Sequence, residues 1–347
     1  MNDSVKTYVW FSLLAFLLVV LFVTDILVGT VRIPLPDALS ILSGKDHDHI
    51  AWSHILFQIR VPKAFTAVFA GSALSVCGLQ MQTLFRNPLA SPSELGISAG
   101  AALGTGLFIF FLDQGVGIQL HRLGIGASWM IALAAATGAG AVFSLLLIIS
   151  RFVKDNVVLL IVGLMLGTLT LAITGLWQYF SRPEQLQAFV SWTFGSLGVS
   201  GGPRLTVLAS ATIAGLLFSF FLSKTLNALL LGENYASNLG ISPRKARTLI
   251  LLNTCLLTGV VTAFCGPIGF VGIAVPHVMR SLFATSNHMI LMPACCLGGA
   301  LALLCCDLIA QLPGNGIVLP INIATSLAGA PAVIWIILKM NNLRNSF

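Results

Sequence analysis

The sequence predicts an all-α membrane protein of about ten transmembrane helices. Apolar residues make up 57% of the 347 positions and charged residues only 8%, against roughly 25% charged in a soluble domain. Mean hydropathy is +0.96, which leaves too few polar side chains to clothe a soluble surface. Apolar runs near the roughly 20 residues that cross a bilayer recur along the whole chain, so residues 1–347 read as a single transmembrane domain.

The first run, about 8–29, follows Lys6 as a secretory signal would, but it is longer than a signal core and no small-x-small cleavage pattern follows it. It reads as a retained first helix. The others fall at about 63–84, 95–112, 127–150, 157–180, 204–223, 247–265, 267–283, 289–311 and 319–339. Leu186 to Leu197 is too short to span and reads as an interfacial or re-entrant helix. Ten spans put both termini on one side.

Which side follows from the cations of alternate loops. The side of the termini carries eleven Lys and Arg against four acids, the other seven against seven, so the termini are expected in the cytoplasm. The net charge of +7 therefore describes membrane orientation, and nucleic acid is not an expected partner. Tyr8, Trp10, Trp129 and Trp177 near span ends fit interfacial belts.

Many of the 33 glycines fall inside the expected helices, and pairs such as Gly100/Gly104 and Gly163/Gly167 have the spacing that lets helix backbones approach closely. A weak internal echo accompanies them. Gly71 to Gly78 and Gly259 to Gly266 share a GxxxxxCG frame, and each first glycine is followed 17 residues later by a proline, Pro88 or Pro276. Two five-helix halves necessarily run in opposite directions, and inverted repeats are a transporter architecture. All seven cysteines lie in apolar runs with no CxxC pair and no His at ligand spacing, so neither a disulfide framework nor a metal site is expected.

Two GxSxG matches, around Ser98 and Ser200, raise an intramembrane protease reading. A serine protease needs its His on a neighbouring helix at the same depth, whereas His277 is expected at the cytoplasmic end, opposite to Ser200. No catalytic residue is assigned. The chain also lacks a phosphate-binding loop, since Ser223-Lys224-Thr225 has no preceding glycines, so ATP used for transport would be bound by another chain and no cofactor by this one. Proton or ion coupling would call for acids in mid-membrane, yet Asp25, Glu94, Asp113 and Asp307 all lie near expected span ends.

The longest cytoplasmic connection, about 224–247, reads as a short amphipathic helix closed by Gly232, a turn, and a new helix started by Ser242-Pro243. Periodicity alone leaves it either an interfacial connector or a docking helix for a cytoplasmic motor.

Several stretches carry a resemblance. They are Gln58-Ile-Arg60-Val-Pro62-Lys63, then Gly71-Ser-Ala-Leu, Gln80-Met-Gln82, Arg86-Asn87-Pro88-Leu89-Ala90 and Leu95-Gly96-Ile-Ser98-Ala-Gly100. Further on come Leu231-Gly232-Glu233 with Ala236 and Leu239-Gly240, then Gly266-Pro-Ile-Gly269-Phe270-Val-Gly272 with Pro276-His277 and Arg280, then Leu319-Pro320-Ile321 with Gly329-Ala330-Pro331. In order and spacing this set resembles the FecCD family of ABC-importer permeases over nearly the whole chain.

The resemblance implies a type II importer fold: a permease that homodimerises in the bacterial inner membrane, with two ATPase subunits below and an extracytoplasmic binding protein delivering an iron-siderophore, haem or cobalamin. It implies that Gly232, Glu233, Ala236, Leu239 and Gly240 seat in the ATPase, and that Arg60 and Lys63 receive acids of the binding protein. It likens the turn at Asp155-Asn156 to a cytoplasmic gate, although small hydroxyl residues are usual there. The family's further external cation is replaced by Gln311, at i+4 from Asp307. A self-sufficient secondary transporter is the alternative reading.

Overall fold

The computed structural model describes residues 3–31, 33–43, 50–112, 126–153, 155–198, 202–312 and 317–344, and among these every regular element is helical. Among the described residues, seven helices are long and apolar enough to cross a membrane: α1 (Val5–Leu27 within Asp3–Leu27), α3 (Ile50–Leu84), α5 (Ser128–Ser150), α6 (Asn156–Phe180), α8 (Pro203–Phe221), α11 (Pro243–Cys265) and α13 (His288–Ala310). Three shorter apolar helices, α4 (Ile97–Phe110), α12 (Val271–Phe283) and α14 (Ile321–Ile334, continuing to Arg344), complete the ten expected positions. At 1.5 Å per residue a 23-residue helix such as α11 is about 34 Å long, enough for a hydrocarbon core of about 30 Å. The short elements are α2 (Leu35–Leu42), α7 (Pro183–Thr193), α9 (Ser223–Leu231) and α10 (Glu233–Asn238). α7 is the non-spanning helix expected after the fifth run.

α3 is the most enclosed of the long helices and runs antiparallel to α13: Lys63 meets Asp307 at one end, and Thr83 meets His288 at the other. Glycine sets the closeness of that packing. A Cβ on Gly71 would lie 2.2 Å from the carbonyl oxygen of Gly299, and one on Gly78 would lie 1.7 Å from that of Gly272 in α12. Only backbone-to-backbone contact fits there. The two GxxxG pairs do the same work: Gly100 and Gly104 face Gly138 and Ala134 of α5, and Gly163 and Gly167 of α6 face the Leu95–Gly96 turn.

The helix contacts respect an inverted repeat. α3 packs on α13 as α11 packs on α5, α4 on α5 as α12 on α13, and α3 on α12 as α11 on α4, with α3 and α11 themselves in contact. Irregular backbone around the join of α11 and α12 is tolerated because its polar groups are satisfied within the protein. Ser196 N donates to Cys265 O at 2.8 Å, and Gly269 N donates to the Asn322 side chain at 3.2 Å.

Candidate functional site

Polar chemistry gathers at the two ends of the bundle. At the end away from the termini, α1 finishes with carbonyls that have no helical partner. Arg60 supplies the donors: its guanidinium bonds Ile26 O at 3.0 Å, Leu27 O at 2.8 Å and also Val31 O. The residue is 6% exposed and sits at the end of a π-helical turn, Ile55–Arg60, that aims it at α1. All the described bonds of the guanidinium run to the backbone of this chain, so what the structure shows at Arg60 is a staple for the end of α1.

Lys63, one turn further along α3, keeps 21% of its side chain exposed and pairs with Asp307 at 2.7 Å. Gln311 donates to the same Asp307 oxygen at 2.9 Å and reaches Asp25 of α1 at 3.4 Å. Here an amide makes the i+4 contact to Asp307 and also bridges two buried aspartates on different helices. A recess of about 350 Å³ opens beside Lys63 and Asp307, lined also by Phe194, Ser196 and Pro320.

At the termini end, the chain leaving α3 turns through Arg86, whose φ of +46° lies in the left-handed region. Arg86 donates to Leu229 O at 3.0 Å, at the C-terminal end of α9, where unpaired carbonyls and the helix dipole favour a cation. Asn87 then closes a local turn by accepting from Leu89 N at 2.9 Å. Pro88 O accepts from the ring of His277 at 2.8 Å, so signature pieces 189 residues apart meet. α12 continues past Pro276 to Arg280, which donates to Gln82 of α3 at 2.5 Å.

The loop at 224–247 is two helices joined by glycine. Gly232 separates α9 from α10 at φ +122°, ψ +152°, a conformation open essentially to glycine alone, and Gly240 closes α10 at φ +80°. Ala236 is buried beneath α10, while Leu239 is exposed. Pro243 occupies the first turn of α11, as the Ser-Pro pattern predicts.

Glu233, the first residue of α10, is the hub. Its Oε1 accepts from Asn156 Nδ2 at 2.9 Å and from Arg247 Nη2 at 3.2 Å. Asn156 also donates to Leu84 O at 3.0 Å, and Arg247 to Val153 O at 2.9 Å. The turn at Asp155-Asn156 is thus bonded to the loop at 224–247. Asp155 has a different task, capping α6 by accepting from Val157 N at 2.6 Å and Val158 N at 3.4 Å. A groove of about 690 Å³ lies between turn and loop, lined by Arg86, Asp155, Asn156, Glu233 and Tyr235.

Sequence reasoning missed Arg247, although a signal existed. Arg244, Lys245 and Arg247 stand in the first turns of α11, where the helix dipole disfavours cations, so an acid is needed nearby. It also missed a buried bridge in which His288 bonds Thr83 at 2.8 Å and Asn227 at 2.7 Å. The protease reading gains nothing: His277 bonds Pro88 and His288 bonds Thr83 and Asn227, while Ser98 begins α4 and Ser200 lies outside the described residues. Among the described residues, no three His, Cys, Asp or Glu side chains gather as metal ligands do.

A sequence model of the FecCD transport family matches residues 17–339. The chain belongs to the FecCD transport family. It is 34% identical to the hemin transport system permease protein HmuU of Yersinia pestis, over 99% of this chain and 100% of that one. It is 36% identical to the vitamin B12 import system permease protein BtuC of Salmonella paratyphi A, over 82% and 83% of the two chains. Among solved structures, a metal-chelate type ABC transporter in an inward-facing conformation superposes with a TM-score of 0.82 at 28% identity, covering 95% of this chain and 98% of that one. The protein is a membrane-spanning permease subunit of an ABC importer with a type II fold.

Proposed function

We propose that this permease works as a homodimer in the bacterial inner membrane with both termini cytoplasmic, two ATPase subunits beneath it and an extracytoplasmic binding protein above. The cargo is an iron-siderophore complex in the first instance, with haem and cobalamin as the other members of the class. The single observation that carries the reading is the preformed coupling loop, two short helices bent by Gly232 and Gly240 and bonded through Glu233 to the first turn of α6. It lies at the end that the Lys and Arg excess assigns to the cytoplasm.

Energy enters through the partners. This chain lacks the glycine-rich phosphate loop, so ATP is held by the ATPase subunits and their closure pushes on α10. Exposing a dimer-axis cavity to one side and then the other requires a bundle with two stable packings, and the close glycine contacts leave no side chains in the way of a shift between them. On the outer face Lys63 keeps exposed surface where Arg60 does not, and the recess beside it suits an acidic side chain of the binding protein.

Affinity purification of the tagged chain from membranes tests the reading. An ATPase subunit retained at equal stoichiometry, with ATP turnover raised by a loaded binding protein, is the expected result. A stable assembly that keeps no ATPase and transports in liposomes without ATP would overturn it in favour of a self-sufficient transporter.

A further inference from the structure

We propose that Asn156 and Arg247 turn Glu233 into a rigid link between α10 and the first turn of α6, so that displacement of α10 reaches α6 and is not absorbed in the loop. The inference rests on the coupling role proposed above and names the side chains that perform it.

The backbone alone would not transmit a push. α10 has only six residues, and a glycine with positive φ bounds each end, so the main chain supplies two soft joints. Stiffness must come from side chains. Glu233 stands just inside the first joint, and both of its described partners attach to the α5–α6 turn: Asn156 belongs to it, and Arg247 bonds Val153 O within it. Arg247 is buried, which restricts its motion and strengthens the charge-assisted bond.

The bonds also close a ring. Arg86 holds Leu229 O at the end of α9; the chain passes from there through Gly232 to Glu233; Asn156 spans from Glu233 to Leu84 O, two residues before Arg86. A closed ring resists shear where a single bond would only pivot. Position 156 needs an amide for this. Nδ2 donates to a carbonyl and a carboxylate at once, whereas an aspartate would only accept and would repel Glu233. Glu233 and Asn156 are therefore positioning residues, acting on transport through α6.

The test uses the assembled importer in lipid nanodiscs, with spin labels placed by non-canonical amino acids at Tyr235 and Val157, both exposed. ATP with vanadate traps the closed motors. In the wild type, the Tyr235–Val157 distance stays narrow and unchanged on trapping, because the two elements move as one body. In Asn156→Asp it broadens and shifts on trapping, and stimulation of ATP turnover by the binding protein falls roughly tenfold, the scale of losing a charge-assisted hydrogen bond. Glu233→Gln keeps an acceptor for Asn156 but loses the ion pair with Arg247, so its response is intermediate; it also serves if Asn156→Asp does not assemble. A wild-type distance that changes on trapping, or an Asn156→Asp distance that does not, overturns the link while leaving the importer reading intact. A wild-type chain that retains no ATPase subunit defeats both.

Discussion

The two polar clusters are made from the same parts and do opposite things. Each has an arginine bonded to main-chain carbonyls, Arg60 at one end and Arg247 at the other, and each has an amide beside a carboxylate, Gln311 with Asp307 and Asn156 with Glu233. At the end away from the termini the groups are almost sealed, with Asp25 and Asp307 buried on long helices. At the termini end, Glu233 keeps 40% of its side chain exposed and stands on a six-residue helix between two glycine joints. The lesson is that helix length and burial decide whether such a cluster is a staple or a moving link. Bonds of the same kinds fix α1, α3 and α13 to one another in the first case and, in the proposed link, join α10 to α6 in the second.

That contrast can be broken by substitution. The largest stability effect is expected for Arg60→Met, which leaves the carbonyls of Ile26, Leu27 and Val31 without their donor. The buried Ile26 carbonyl costs about 1–3 kcal/mol and the part-buried Leu27 and Val31 carbonyls, which water can reach, cost less, for a total of about 3 kcal/mol. The melting midpoint of the detergent-solubilised protein, followed by tryptophan fluorescence, should fall by about 4 °C. Next comes Lys63→Met, which strands Asp307. The cost is about 2 kcal/mol, below the range for a fully buried pair because Lys63 is partly exposed. Adding Asp307→Asn should recover most of it, and a double variant as unstable as the single one would mean the pair is not the source.

At the other end, Gly232→Ala forces a Cβ onto a backbone conformation that L residues rarely hold, for about 1–2 kcal/mol of local strain. Its stronger signature is a fall in ATP turnover as α10 re-aims, measured in the assembled importer. Glu233→Gln is expected to change stability least, by under about 1 kcal/mol, because the carboxylate is partly solvated. It sharpens the comparison: a charge whose loss hardly moves the melting midpoint but separates ATP hydrolysis from uptake belongs to a link.

The fold was legible because a bilayer imposes a length on every crossing segment, and all ten expected runs, 8–29 to 319–339, coincide with apolar helices. The loop at 224–247 was legible too, since Gly232, Gly240 and Ser242-Pro243 each mark a backbone event. The bonds of Arg60 to α1 were not legible, because its partners are main-chain carbonyls 29 to 34 residues upstream, and a carbonyl leaves no trace in residue type. The bond between Asn156 and Glu233 joins residues 77 apart and could be seen only when folded. The GxxxxxCG echo is instructive in between. Gly71 and Gly78 are pressed against the backbone of Gly299 and Gly272, whereas a Cβ on Gly259 would meet open space and Gly266 is a left-handed turn against Trp192 O. The echo marks corresponding places in two inverted halves, and the halves then use those places differently.

The most direct test of the account measures thermal midpoint and binding-protein-stimulated ATP turnover on the same preparations of Arg60→Met and Asn156→Asp. Arg60→Met should lower the midpoint by about 4 °C, with the stimulation of turnover per folded complex retained. Asn156→Asp should hold the midpoint within about 2 °C and lose most of the stimulation. Parallel losses of midpoint and turnover in both variants would contradict the division between a staple at one end and a link at the other.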